Sequence, residues 1–312
     1  MNKTFQVITD STSDLTQYFR NKYQIDYVQM TFSMDGQDYN ANLDWKDISP
    51  QQYYSLLEKG KFFLTGPAPL SEFERVFTKY LSQNLDILFI SCSSILSGTF
   101  NNALIAKSIL QEKYPGRQII CFDSLRSNCS EGLMAMDAAM MANQGISLSE
   151  TIKFLDEKRL KYQTLAITDS LDPLKRAGRI KTSSAFIGNL VGIKPIIITD
   201  AHGNNYAFKT ARGRNSALKL LAKYVINNVE KDHPSLIFIE HSNCMDDAHC
   251  LAEEIQKKLP SKQICICDLG FIVGATIGSK ALTVSFYGKK VTIYNKTNGN
   301  HIFSLGKNTI TS

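Results

Sequence analysis

The stretch Leu85–Phe100 reads LDILFISCSSILSGTF and joins an apolar run to a turn rich in hydroxyl groups. The apolar run, LDILFI, is short and almost continuous, which is typical of a strand buried in a parallel sheet. After the turn, apolar residues recur at the spacing of one helix face: Phe100, Ala103, Leu104, Ala106 and Leu110. A strand, a polar turn and an amphipathic helix in this order predict one unit of an α/β sheet.

The same alternation of strand-like and helix-like runs extends through the first half of the chain. FQVIT at 5–9 and IICFDS at 119–124 are further strand patterns, and a turn and a helical pattern follow each of them. Repeated β–α units favour parallel strands with helices on both faces of the sheet. We therefore predict an N-terminal, Rossmann-like α/β/α domain with a mainly parallel sheet over residues 1–160.

Local signals mark several element boundaries in this half. Ser49 and Ser147 each begin a capping box, because Gln or Glu follows three residues later. The dipeptide Asp35-Gly36 lies between two strand-like runs and is typical of a tight hairpin turn. These signals predict two helix starts and one β-hairpin.

The second half of the chain has a different pattern of predicted strands and helices. TLAIT at 164–168 is a strand pattern, and IKPIIIT at 193–199 with NYAFKT at 205–210 predicts an antiparallel pair. Further on, LIFIEH and QICICD flank a helical pattern, which predicts a β–α–β unit. We expect a mixed sheet in a C-terminal α/β domain, residues 161–312, packed on the first domain with a crevice between them. Residues 289–312 add a hairpin or a tail.

The composition is that of an ordinary globular chain. Of 312 residues 43% are hydrophobic and 21% are charged, and the formal net charge of +6 is too small to indicate a nucleic acid partner. No run approaches the roughly eighteen apolar residues of a membrane-spanning helix, and the N-terminus has no apolar signal core. The seven cysteines show no framework spacing and fit reduced thiols. We therefore expect a cytoplasmic protein.

Three hydroxyl-rich turns follow predicted strands: DSTSDL at 10–15, SCSSILSGT at 91–99 and DSLRS at 123–127. In a parallel sheet the carboxyl ends of the strands meet at one edge, where ligands bind. The free N–H groups of helix starts at that edge favour an anion. Ser, Thr and Asp are also common helix caps, so capping alone is an alternative interpretation. The residues that this edge offers to a ligand are Asp10, Ser11, Ser94, Gly98 and Thr99.

Several catalytic patterns are missing from the sequence. Ser97 lies in Ile-Leu-Ser-Gly-Thr, which lacks the first glycine of the G-x-S-x-G nucleophile turn, and no histidine occupies a partnering motif. There is no G-x-x-x-x-G-K-[ST] phosphate loop and no dinucleotide fingerprint after the first strand. The His and Cys residues between 241 and 250 lack the paired spacing of a zinc site. We therefore assign no catalytic residue, no metal ligand and no cofactor.

A basic segment, LKRAGRIK at 174–181, lies in the second half, and Arg212 begins the sequence RGR further on. A solvated loop face is one interpretation of this segment. The other is a dock for an anion or a protein partner, because arginine forms bidentate, salt-sensitive contacts. On the second interpretation Arg176, Arg179 and Arg212 contact the partner.

Taken together, these segments resemble the DegV family. The resemblance is carried, in the family's order, by ITDSTSDL at 8–15, TGPAP at 65–69 with Glu72-Phe73, SSILSGT at 93–99, FDS at 122–124, LKRAGRI at 174–180, IKPI at 193–196 and GFIVGATIG at 270–278. It covers about residues 5–285, and the ordered set is specific although each motif is short. The resemblance implies a two-domain α/β protein with a lipid site between the domains.

The resemblance also implies a function. DegV-like proteins bind one long-chain fatty acid, and in many bacteria they are the lipid-binding subunit of a two-component fatty acid kinase. The separate ATP-binding kinase subunit phosphorylates the carboxylate, and the acyl-phosphate enters phospholipid synthesis. On this view the chain is not itself an enzyme, its ligand is a fatty acid rather than a cofactor, and a transient membrane surface is a further partner.

Individual roles follow from the family's motifs. Thr65 and Ser97 match the hydroxyls that bind the carboxylate, while Arg176 and Arg179 match positions that engage the kinase subunit. Thr276 stands where the family commonly has histidine. Threonine donates a hydroxyl but carries no charge, so we expect a rearranged carboxylate network with Thr276 as its third member.

Two other functions stay open at this point. One is an enzyme acting on a phosphorylated small molecule, whose phosphate binds at the same helix starts. The other is a lipid sensor that docks a different protein through residues 174–181. A phosphorylated ligand bound without lipid would favour the enzyme over fatty acid binding. The absence of a kinase subunit would favour the lipid sensor.

Overall fold

The computed structural model describes residues 3–180 and 192–292. Lys181 of the basic segment and residues 293–312 of the expected C-terminal addition lie outside the described residues. Within the described ranges the chain forms thirteen strands and ten α-helices. Two short 3₁₀ helices, Ser11–Ser13 and Arg159–Lys161, complete the secondary structure of these ranges.

The strands and helices alternate along the chain as the sequence predicts. The strands are β1 (Phe5–Asp10), β2 (Asp26–Val28), β3 (Met30–Met34), β4 (Gln37–Ala41), β5 (Leu64–Gly66), β6 (Asp86–Ser91), β7 (Ile119–Asp123), β8 (Tyr162–Ile167), β9 (Ile193–Thr199), β10 (Asn205–Arg212), β11 (Ile237–His241), β12 (Ile264–Asp268) and β13 (Leu282–Tyr287). The helices are α1 (Gln17–Tyr23), α2 (Pro50–Glu58), α3 (Leu70–Leu81), α4 (Thr99–Lys113), α5 (Asn128–Asn143), α6 (Leu148–Lys158), α7 (Asp172–Arg176), α8 (Arg214–Asn228), α9 (Met245–Gln256) and α10 (Phe271–Ile277).

The first sheet is fully parallel and has the strand order β2-β1-β6-β7. Its apolar side chains alternate between two faces: Ile87 and Phe89 pack with α3 and α4, whereas Leu88 and Ile90 pack with α5. Helices therefore cover both faces, as buried parallel strands require. The prediction of an N-terminal α/β/α layer with a mainly parallel sheet is confirmed.

A small antiparallel sheet, in the order β4-β3-β5, packs beside the first sheet. Its hairpin turns at Asp35 and Gly36, whose φ angles of 51° and 82° are those of the predicted tight turn. The capping boxes at Ser49 and Ser147 also form, with both side-chain bonds present in each. Short-range signals therefore predicted these boundaries correctly.

The second sheet is mixed, in the order β10-β9-β8-β13-β11-β12, and only the β11–β12 pair is parallel. One face packs on α8 and α9 through apolar residues such as Leu165, Ile198 and Val284. The strand register places polar residues on the other face: Thr164, Thr199, Asn205, Thr283 and Ser285. A sheet with one apolar face and one largely polar face needs a polar neighbour on the second face.

Helix α5 is that neighbour and lies between the two sheets. Thirteen of its sixteen residues are buried, and its Ser130 Oγ accepts a hydrogen bond from Thr164 at 2.6 Å. Arg126, just before the helix, is fully buried and donates to the carbonyl oxygen of Asp200 at 2.9 Å. Helix α10 follows β12 of the second sheet and contacts the small antiparallel sheet, because the ring of Phe271 stacks on Phe32 of β3. These contacts bring the carboxyl edge of the first sheet against the polar face of the second.

One detail of the opening stretch is predicted wrongly. Leu104 was placed on the buried face of helix α4, but its side chain is 43% exposed. The buried face carries Thr99, Ala103, Ala106 and Leu110 instead. The apolar residues occur around much of this helix, so their spacing alone did not define the inward direction.

Among the described residues, no helix combines the length and the apolar composition that crossing a membrane requires.

Candidate ligand-binding site

A cavity with an empty volume of about 800 Å³, including the space at its mouth, lies where the two sheets meet. Apolar side chains from both halves line it: Met30, Leu96, Leu174, Ile197, Ile272, Val273 and Ile277. Five residues predicted from sequence also line it: Thr65, Ser97, Gly98, Arg179 and Thr276. The fold thus brings together residues that lie more than two hundred positions apart.

Two acids, Asp10 and Asp123, hold the turn before Ser97 in place. The carboxylate of Asp10 accepts from the Cys92 N–H and the Thr12 N–H, both at 2.9 Å, and so joins the ends of β1 and β6. Burial raises the pKa of Asp10, and these hydrogen bonds oppose the increase. Ser94 is exposed, and its N–H donates to the Asp123 carboxylate at 3.2 Å. The turn is therefore fixed to its neighbours before any ligand binds.

Ser97 lines the cavity and contacts the first residue of helix α4. Its Oγ accepts from the Thr99 N–H at 3.2 Å and lies 2.9 Å from Thr99 Oγ1. Thr99 is buried behind it and accepts from the Ala68 N–H at 3.3 Å. The first turn of α4 carries no acidic residue, so its N–H groups keep a partial positive charge that favours an anion.

Thr65 and Thr276 approach the cavity from opposite halves. Thr65 lies on β5, opposite Phe32. The next residue must be small, because a Cβ on Gly66 would lie 2.4 Å from Thr31 Oγ1. Thr276 donates its hydroxyl hydrogen to the Val273 carbonyl within helix α10, at 2.9 Å. In this arrangement Thr276 presents an acceptor rather than a donor, and the role expected for it in carboxylate binding stays a prediction.

The three arginines assigned to partner docking lie in different surroundings. Arg179 lines the cavity, and its Nε donates to the Leu96 carbonyl at 3.1 Å, so its charge lies beside the turn that carries Ser97. Arg176 is exposed and stacks over the Phe62 ring at 4.7 Å. Arg212 is exposed at the end of β10. Arg179 is therefore also a candidate for contacting the ligand.

Asp10 and Ser11 do not line the cavity but stabilise the elements that form it. The Ser11 Oγ donates to the Ala41 carbonyl at 2.6 Å and accepts from the Met30 N–H at 2.9 Å. Ser11, which directly follows β1, thus connects the first sheet to the small sheet both as a donor and as an acceptor. The capping interpretation describes Asp10, whose carboxylate accepts from the Thr12 N–H at the start of the 3₁₀ helix Ser11–Ser13, whereas Ser97 and Gly98 line the cavity.

Sequence reasoning missed an inner polar wall of the same cavity. It consists of Thr12, Cys92, Ser127 and Asn128, with Glu131 directly behind Thr12. Thr12 and Cys92 belong to two of the hydroxyl-rich turns, and Asn128 follows the third by one position. The turn signal was thus present, but it did not identify the side chains that face inward.

Within the described residues, Asp10, Cys92 and Glu131 place their potential ligand atoms within 4.8 Å of one another. Neighbouring groups already contact both acids: Thr9 donates to Glu131, the Cys92 N–H donates to Asp10, and the Thr12 hydroxyl lies within hydrogen-bonding distance of both carboxyl groups. Burial and the nearby Asp10 raise the pKa of Glu131 well above its usual value. Such a set fits a protonated carboxyl group better than a cation site.

A family model described as "Uncharacterised protein, DegV family" matches residues 4–289. The chain belongs to the DegV family. A DegV domain-containing protein of Clostridium perfringens is 35% identical over 286 residues, which cover 92% of this chain and 98% of the relative.

Solved structures of the DegV family share the fold. A Thermus thermophilus DegV protein, described by its fatty acid binding, is 25% identical and superposes with a TM-score of 0.80 over 91% of this chain and 99% of its own. A Ruminococcus gnavus DegV protein, refined with vaccenic acid, is 20% identical with a TM-score of 0.81 over 91% and 100%. The two-domain α/β architecture predicted from sequence is confirmed, while the boundary at residue 160 stays a prediction.

Proposed function

We propose that this chain binds one long-chain fatty acid in the cavity between its two halves. The observation that carries the proposal is the combination of two kinds of lining in one cavity. The hydroxyls of Thr65 and Ser97 and the charge of Arg179 lie in the same cavity as a group of aliphatic side chains, Met30, Leu174, Ile197, Ile272 and Ile277. We expect the carboxylate at these three residues and the acyl chain among the aliphatic side chains. The fatty acid binding of the related Thermus protein supports this proposal.

The energetics favour such a ligand. Each buried CH₂ contributes about 0.8 kcal/mol, so a chain of about sixteen carbons gains more than about 10 kcal/mol before ordering costs are subtracted. The carboxylate must keep hydrogen-bonding partners, since an unpaired buried charge is strongly unfavourable. The start of helix α4 and Arg179 supply donors and positive charge for it. An aliphatic lining of this extent is a poor match for a sugar phosphate, which disfavours the small-molecule enzyme.

Lipid extraction followed by mass spectrometry tests this part of the proposal. We expect about one long-chain fatty acid per chain in protein purified without added lipid, and rebinding after delipidation. A stoichiometric polar ligand in place of lipid, together with failure to rebind fatty acids, would contradict the proposal.

We further propose that the chain presents the bound carboxylate to a separate ATP-dependent kinase subunit, which forms the acyl-phosphate. The resemblance of the basic segment to family positions supports this role, and so does the exposure of Arg176 and Arg212. Arg176 lies between Leu174 and Arg179, which line the cavity. An exposed guanidinium suits an acidic partner surface, because charge complementarity promotes association.

The docking role predicts a separation of two activities. Arg176→Ala should leave the fatty acid Kd unchanged and lower acyl-phosphate formation with the cognate kinase subunit roughly fivefold or more at low salt. Lys175→Ala is the matched control, because Lys175 is an exposed cation at the preceding position. Equal turnover for wild type and Arg176→Ala, or an equal loss in both variants, would count against docking through Arg176.

A further inference from the structure

The inner wall of the cavity is polar where a plain acyl chain has no polar atoms. Thr12, Cys92, Ser127 and Asn128 come from the carboxyl edge of the first sheet and from the start of helix α5. Methylene groups offer them no hydrogen bond, and a buried polar atom without a partner is unfavourable. The polar side chains of this wall therefore influence which kind of fatty acid the cavity binds.

Asn128 offers this wall an unused donor. Its side chain lines the cavity, the residue is only 4% exposed, and its Nδ2 has no hydrogen-bond partner among the described residues. The Ser127 Oγ donates to the Asn128 Oδ1 at 2.9 Å, and in this arrangement the Nδ2 is the end of the amide without a partner. The backbone of Asn128 has φ of 61°, a conformation that asparagine adopts more readily than most residues. Position, backbone and side-chain orientation all hold the Nδ2 in place.

Thr12 offers an acceptor beside it. Its Oγ1 lies 2.6 Å from the Asp10 Oδ1 and 2.7 Å from the Glu131 Oε2. One hydroxyl hydrogen serves only one of these carboxyl groups, so the other must carry a proton, and burial with the nearby Asp10 raises the pKa of Glu131. Thr12 then donates to Asp10, accepts from Glu131 and keeps one lone pair. Thr12 and Asn128 both line the cavity, and Thr12 contacts Glu131, which follows Asn128 by three positions.

The partner of this pair is a neutral group. A second anion beside the buried Asp10 carboxylate would be repelled, and the ligand's own carboxylate has better partners at Ser97 and Arg179. Cys92 belongs to the same turn as Ser97, and both its N–H and the Thr12 hydroxyl contact the Asp10 carboxylate. The polar wall therefore begins next to the carboxylate end, within the first few carbons of a bound acyl chain.

We infer that the preferred ligand is a long-chain fatty acid oxygenated near its carboxyl end, in the simplest case a 3-hydroxy acid. Its hydroxyl donates to Thr12 Oγ1 and accepts from Asn128 Nδ2, so both groups of the wall gain a partner. This inference rests on the fatty acid binding proposed above and adds the substrate class. The same wall disfavours an unsubstituted chain, which leaves the Asn128 amide unpaired.

Competition binding to the delipidated full-length chain tests the inference with three probes of equal length. The probes are hexadecanoic acid, 3-hydroxyhexadecanoic acid and 16-hydroxyhexadecanoic acid. We expect the 3-hydroxy acid to bind at least tenfold more tightly than either of the others. In Asn128→Gly, which tolerates the same positive φ but lacks the amide, this preference should fall to about twofold or less. Ser94→Ala, in an exposed position outside the cavity lining, should keep it.

Each outcome decides the question. Equal or tighter binding of hexadecanoic acid overturns the oxygenated ligand and leaves fatty acid binding intact. Failure of all three probes to bind overturns both proposals. An undiminished preference in folded Asn128→Gly overturns the role of the Asn128 amide. The wild-type comparison decides the ligand class even if that variant does not fold, as judged by its Tm.

Discussion

Replacing Ser97 with alanine removes the hydroxyl at the start of helix α4 and separates two of its roles. In the lipid-free protein the Oγ accepts from the Thr99 N–H at 3.2 Å, so loss of this hydrogen bond should lower the free energy of unfolding by about 1 kcal/mol. We propose that in the lipid-bound protein the Oγ also donates to the ligand's carboxylate. A hydrogen bond to a charged group contributes about 1.5–3 kcal/mol, so the Kd for a fatty acid should rise roughly 10- to 150-fold.

The assay is displacement of a fluorescent fatty acid from delipidated protein, with thermal unfolding measured in parallel without lipid. Ser94→Ala is the matched control, because Ser94 is exposed in the same turn and contacts Asp123 through its backbone N–H, which alanine retains. We expect the control to bind as wild type does. An unchanged Kd in Ser97→Ala, or an equal loss in the control, would refute the placement of the carboxylate at Ser97.

Two further predictions concern stability. Gly132→Ala should lower the free energy of unfolding by about 1–3 kcal/mol, because its Cβ would lie 2.8 Å from the Ser13 carbonyl oxygen. Gly116→Ala is the control and should not lower it, because no other atom would lie within 4 Å of its Cβ. Equal urea midpoints for the two variants would contradict this prediction. Burial raises the pKa of Asp137 to about 6, so the stabilising proton is bound at low pH and is lost as the pH rises through that value. Asp137→Asn should therefore raise the Tm at pH 8 but not at pH 4, and a uniform shift would refute the assignment.

Local sequence signals predicted the fold well where their physics is short-range. The hairpin at Asp35-Gly36 and the capping box at Ser49 depend on residues within four positions of each other. The apolar run before Ser91 predicted a buried parallel strand because a strand covered on both faces needs little else to specify it. The direction of helix α4 was harder, since apolar residues such as Leu104 and Ile105 occur outside its buried face as well.

The site was only partly predictable, because long-range contacts decide which polar residues face inward. Thr65 and Ser97 were chosen by motif, and the structure places both at the cavity. Arg179 was assigned to the surface, but it contacts Leu96, eighty-three positions away, which sequence spacing does not reveal. The Asn128 side chain faces the cavity only because α5 lies between the two sheets, and no local pattern encodes that placement.

A crystal structure of the lipid-loaded protein tests the central claim most directly. We predict one continuous acyl chain in the cavity, with a carboxylate oxygen about 2.7–3.0 Å from Ser97 Oγ and close to Thr65 and Arg179. An empty cavity in protein shown to carry lipid, or a carboxylate bound away from Ser97, would contradict the account.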